Sequence, residues 1–106
     1  MDKSEFYHHS TTALEYIEES LANLENENLD VQLAGDVLTL TFADKTRFVI
    51  NAHSAALQIW MAAGTTAWHF DYQKSTNTWV ATRTNEELLQ TLAHQVGHKL
   101  NVRVSL

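Results

Sequence analysis

Cysteine is missing from this chain altogether. That one absence excludes disulfides, thiolate nucleophiles and any metal cluster held by cysteine sulfur. Proline is missing too, and glycine is confined to Gly35, Gly64 and Gly97. There is accordingly no Pro-rich linker and no glycine-rich loop of the kind that cradles a phosphate. Basic residues are scarce: seven Lys and Arg face thirteen Asp and Glu, a net charge of −6 that argues against a nucleic-acid partner. The same imbalance favours cations or basic proteins. No stretch approaches the roughly 20 apolar residues of a membrane span, which argues against a membrane partner. The start, Met1-Asp2-Lys3-Ser4-Glu5, has neither the basic-then-apolar pattern of a secretory signal nor the Arg-rich bias of a transit peptide. The expectation is a cytoplasmic protein, with residues 1–106 forming one domain.

What is present reads as helix, strands, helix. Phe6, Leu14, Ile17, Leu21 and Leu24 recur at helical spacing, which predicts a helix over about Ser4–Leu24 capped by Asp2 or Ser4. Short runs of alternating polarity follow. Leu29-Val31-Leu33, Leu38-Leu40-Phe42 and Phe48-Ile50 each mark one face of a strand, with turns at Gly35-Asp36 and Asp44-Lys45. His53-Ser54 reads as loop. The next strand would carry Leu57, Ile59 and Met61 inward, and Ala62–Ala67 reads as a turn. Trp68, Phe70 and Tyr72 alternate with polar residues, Ser75-Thr76-Asn77 turns the chain, and Trp79-Val80-Ala81 makes a last short strand. Thr84-Asn85-Glu86-Glu87 fits a capping box, with Thr84 as the cap of a second helix buried through Leu88, Leu89, Leu92, Val96 and Leu100. Val102, Val104 and Leu106 predict an extended, docked tail. Helices at both ends of a strand meander predict an α+β two-layer sandwich, with both helices on one face of an about six-stranded antiparallel sheet. The other face stays open.

The carboxylates carry the first functional signal. Glu15, Glu18, Glu19, Glu25, Glu27 and Asp30 put six acids into sixteen residues with no Lys or Arg between them. Most charge runs are solvated helix faces. Like charges at i,i+3 and i,i+4, however, cost a helix a few tenths of a kcal/mol per pair, so an unpaired row suggests a use. Carboxylate oxygens suit hard cations, and a row that cannot wrap an ion should hold it weakly, with much of the coordination left to water. The same row would steer a basic protein partner. His94 and His98, one helical turn apart, could hold a metal together, but no third ligand is set by spacing and surface pairs of this kind are common. Their role stays open. No Gly-flanked Ser marks a nucleophile elbow, and the acids are too exposed for a desolvated acid/base pair, so an enzyme is not expected.

Trp60 carries the second signal. Period-two alternation that sends Ile59 and Met61 inward sends Gln58 and Trp60 outward, along with His69 on the strand beyond. A large indole on an open sheet face is either scattered surface or a binding anchor, and Trp is enriched among binding hot spots.

These blocks together resemble a known family. The acidic first helix, Val37-Leu38-Thr39-Leu40-Thr41-Phe42, Phe48-Val49-Ile50-Asn51, Gln58-Ile59-Trp60-Met61-Ala62 and Trp68-His69-Phe70-Asp71 are similar, in order and nearly end to end, to frataxin in its short bacterial CyaY form. The resemblance implies an iron-binding, non-enzymatic protein of iron–sulfur cluster assembly. It implies weakly held Fe2+ or Fe3+ on Glu15, Glu18, Glu19, Glu25, Glu27 and Asp30, and partner contact through Asn51, Gln58 and Trp60. The partners implied are the cysteine desulfurase and the iron–sulfur scaffold protein. A monomer is expected, with metal-dependent assembly as the alternative. The chain departs from the family at Ala52-His53-Ser54-Ala55, where a basic residue, Gln and a nearby Pro are usual. Thr66-Ala67 replaces Gly-Gly, and Ala22 and Asn23 stand where acids are common on the ridge. Fewer iron equivalents and weaker desulfurase docking are the expected consequences. The competing reading is an acidic protein-interaction module in which metal binding is incidental.

Overall fold

A computed structural model describes all 106 residues. Helix α1 spans Lys3–Ala22, and α2 spans Leu88–Leu100. Between them run β1 (Leu29–Ala34), β2 (Val37–Phe42), β3 (Arg47–His53), β4 (Gln58–Ala63), β5 (Thr66–Gln73) and β6 (Thr78–Ala81). The strands form one antiparallel meander in sequence order. No helix is long and apolar enough to cross a membrane.

Local chemistry explains the ends of these elements. Asp2, not Ser4, caps α1: its carboxylate accepts the Glu5 N–H at 2.8 Å. Gly35 and Gly64 each open a two-residue hairpin with positive φ, 59° and 64°, which glycine adopts without steric cost. Ala63 therefore pairs directly with Thr66. The turn expected over Ala62–Ala67 shrinks to Gly64-Thr65, because one permissive residue suffices.

Three further expectations are corrected. Leu57 closes the β3–β4 turn with a left-handed φ of 54°, although its side chain still packs on the core. His53 is not loop but the last residue of β3, paired with Gln58. The capping box does not form. Asn85 is left-handed (φ 61°), the Ala81 N–H binds the Glu86 carbonyl at 2.7 Å, and Glu87 bridges Val80, so this segment is tied to the sheet edge. The helix begins at Leu88 instead, with Glu87 itself as cap accepting the N–H groups of Leu89 (2.8 Å) and Gln90 (3.0 Å). The Thr84 hydroxyl serves only the Glu86 N–H.

One apolar core fills the space between sheet and helices. Leu38, Leu40, Ile50, Ile59, Met61 and Phe70 project from the strands onto Phe6, Leu14, Ile17 and Leu21 of α1 and Leu88, Leu92 and Val96 of α2. Leu24, expected on the buried stripe, lies beyond the end of α1 and is 36% exposed. Val104 and Leu106 of the tail pack on the core edge, whereas Val102 is exposed. The tail turns back at Asn101, left-handed with φ 57°, and the Val102 N–H reaches the Gly97 carbonyl at 3.1 Å. Gly97 is needed there: a Cβ would stand 2.8 Å from the Val102 carbonyl oxygen. The opposite face of the sheet bears no helix, which leaves the outward residues of β3, β4 and β5 accessible.

Candidate functional site

Two surfaces emerge, one from the first helix and one from the open face. Because Phe6, Leu14, Ile17 and Leu21 are buried, α1 must present the residues between them outward. Glu15 and Glu19 are exposed and Glu18 is half-buried. Glu25 and Glu27 follow in the connection to β1, with Glu25 in the left-handed region (φ 49°). Asp30 sits on the edge strand β1, exposed and opposite Thr41. The six acids thus trace one side of the molecule, from helix through loop to sheet edge.

No cation neutralises them. The two ion pairs of the chain, Lys74–Glu5 at 2.9 Å and Lys99–Asp44 at 2.6 Å, involve none of the six. Both pairs leave their mark on titration. Lys74 holds the Glu5 carboxyl below its ordinary value, and the Lys99 ammonium together with the Thr46 hydroxyl and N–H holds Asp44 well below its own. Nowhere do three His, Asp or Glu side chains converge closely enough to grip an ion. The row offers oxygen ligands one or two at a time, a geometry for loosely held, largely hydrated cations.

The second surface is built by register. Trp60 on β4 pairs with Asn51 on β3 and His69 on β5, and Gln58 pairs with His53 and Asp71. All six side chains lie on the face away from the helices, so Asn51, Gln58 and Trp60 are brought together. The indole is half-buried, with His53 stacked on one side (3.9 Å between centroids, 15°) and His69 on the other (4.3 Å, 11°). Its Nε1–H donates to Gln58 Oε1 at 2.9 Å, and Gln58 Nε2 donates to Asp71 Oδ1 at 3.1 Å. His53 and Asp71 were not anticipated here. Alternation offered the clue for His53: Ala52 continues the inward series of Phe48 and Ile50, which extends the strand and turns His53 outward. The pairing of Asp71 with Gln58 follows from the β4–β5 register, which the two-residue Gly64-Thr65 turn sets and which the longer turn expected over Ala62–Ala67 hid.

His94 and His98 are both exposed beside the returning tail, with Asn101 and Arg103 lining the same depression. On α1, the rings of His8 and His9 meet edge to face with centroids 5.2 Å apart, although adjacent helix positions point apart, and His9 stacks on Tyr72 at 4.0 Å.

A profile of the frataxin-like domain matches residues 1–102. The chain belongs to the frataxin family. It is 38% identical to the iron-sulfur cluster assembly protein CyaY of Dechloromonas aromatica (strain RCB), over 97% of this chain and all of that one. It is 33% identical to the CyaY protein of Ralstonia pickettii (strain 12J), over 90% of this chain and 82% of the relative. Among solved structures, frataxin from Psychromonas ingrahamii superposes with a TM-score of 0.91 at 27% identity, covering 99% of this chain and 97% of that one. Trimeric frataxin from Saccharomyces cerevisiae, crystallised in complex with ferrous, superposes at 0.77 with 26% identity, covering 88% of this chain and 86% of its own. The two-helix, six-strand architecture is therefore the frataxin fold.

Proposed function

We propose that this frataxin-family chain is a non-catalytic, iron-binding regulator of bacterial iron–sulfur cluster assembly, working as one cytoplasmic domain of residues 1–106. Glu15, Glu18, Glu19, Glu25, Glu27 and Asp30 hold Fe2+ or Fe3+ weakly, and the same row meets a basic surface of the cysteine desulfurase. Asn51, Gln58 and Trp60 anchor the desulfurase–scaffold complex from the open sheet face. One observation carries this reading: six carboxylates on one side of a family member have no Lys or Arg partner. Self-repulsion of this kind is tolerated where the charge has a use. Having no cysteine, the chain would deliver iron or govern assembly, not host a thiolate-held cluster.

The competing interaction-module reading draws support from the lack of three converging ligands. Salt separates the two. Pure steering fades as ionic strength passes about 0.15 M, where screening acts over roughly 8 Å, whereas coordination persists better. The direct test is a backbone-amide NMR titration under anaerobic conditions with ferrous iron, repeated with purified desulfurase and then scaffold protein. Paramagnetic broadening should centre on Glu15–Asp30, the desulfurase should perturb the same residues, and the assembled complex should move Asn51, Gln58 and Trp60. Broadening centred on His94 and His98, or spread evenly over the surface, would defeat the assignment.

A further inference from the structure

The indole on the open face is held more firmly than a docking surface requires. Both its faces are covered, by His53 at 3.9 Å and His69 at 4.3 Å, and its only polar atom is engaged by Gln58, itself fixed by Asp71. Four side chains from three strands thus fix one ring, leaving only its rim free. Register makes this possible: His69 stands directly across from Trp60, and His53 is a diagonal neighbour within reach of an aromatic side chain. His53 is informative in a second way. Its Nδ1 is buried without a hydrogen-bond partner, so nothing at that atom places the ring.

We propose that His53 and His69 are positioning residues that clamp Trp60 with its rim outward for docking. This rests on the sheet-face reading above and goes beyond it. Ordering a free, rotamer-rich side chain at an interface costs affinity, and a side chain already fixed in the bound orientation avoids that cost. The partner meets the ring edge and the outer face of His69, not the face of the indole.

The test measures binding of the purified desulfurase–scaffold complex by calorimetry, alongside 19F NMR of 5-fluorotryptophan-labelled protein with the Trp60 line assigned through Trp60→Phe. His53→Ala should weaken binding by about twofold to tenfold. It should also shift and sharpen the Trp60 resonance in the free protein, leaving the melting temperature nearly unchanged. His53→Phe, which restores a ring without nitrogens, should recover both readouts. Three results overturn the clamp: normal binding of His53→Ala where Trp60→Ala binds poorly, an unmoved Trp60 resonance in His53→Ala, or His53→Phe as weak as His53→Ala. Normal binding by Trp60→Ala overturns the docking reading itself, and the clamp with it.

Discussion

Exchanging Glu18 and Glu19 together for lysine separates a functional ridge from a structural one, because the two make opposite predictions for stability. Glu15 lies three residues from Glu18 and four from Glu19 on α1, so the helix carries two like-charge pairs on adjacent turns. Each pair costs about 0.2–0.5 kcal/mol, and the opposite-charge pair gains a similar amount. The exchange therefore swings each pair by about 0.4–1 kcal/mol in favour of the fold. Glu19 also sits in the last turn, which has no basic residue, and a cation there would interact favourably with the helix dipole. Allowing for salt screening, the double variant should be more stable by about 1 kcal/mol, a rise of about 4 °C in melting temperature for a domain of this size. Each exchange changes the charge by two, so the net charge moves from −6 to −2. Iron uptake and desulfurase binding should both be lost. Thermal unfolding by circular dichroism at low and high salt, paired with an anaerobic iron titration, checks both arms. Unchanged iron affinity would refute the ridge, and a fall of several degrees would show the glutamates engaged in packing instead.

Other consequences follow from the same geometry. Trp60→Ala should fold normally and lose about 2 kcal/mol or more of affinity for the assembly complex, roughly thirtyfold, as measured by calorimetry. Phe70→Ala should cost about 3–5 kcal/mol in urea unfolding because its ring is fully buried, whereas Val37→Ala on the uncovered face should cost under about 0.5 kcal/mol; equal losses would mean both faces are covered. Gly97→Ala should be neutral or destabilising by up to about 2 kcal/mol, since the helix propensity it gains is opposed by the clash with the Val102 carbonyl oxygen. A clear stabilisation would show that the tail does not return over α2. Asp44→Asn should be less stable than the parent at neutral pH. Because Lys99 and Thr46 lower the folded carboxyl below its ordinary 3.8, that advantage is complete above 3.8 and disappears as pH falls toward the folded value; a stability gap that persists in strong acid would contradict the pairing.

Period and composition were enough to reveal the architecture. The inward series Leu38-Leu40-Phe42, Phe48-Ile50 and Ile59-Met61, with helical stripes at either end, leave one arrangement that buries every apolar face once. The acid row and the outward indole were equally legible, since alternation assigns the face of each residue and lysine or arginine within reach along the chain would have been visible. The missed details share a cause. His53 looked like loop because Ser54 and the residues after it carry turn character, and strand ends depend on pairing partners far along the chain. Thr84 looked like a helix cap because its spacing to Glu87 is right; the Ala81 N–H bound to the Glu86 carbonyl, the Asn85 N–H bound to the Ala81 carbonyl and the pairing of Glu87 with Val80 hold that segment to the sheet instead.

Local sequence thus decided which side chains face inward, where the charge accumulates and which ring is left outside. Tertiary structure alone decided what stands beside that ring. His53, Gln58, His69 and Asp71 come from three strands, and their meeting is a matter of register, which the lengths of the folded turns set and which period-two patterning, indifferent to a slip of two residues, does not. The fate of the acids was settled the same way. Only the folded chain shows that Lys74 pairs with Glu5 near the start of α1, that Lys99 near the end of α2 pairs with Asp44 in the β2–β3 turn, and that the ridge is left bare.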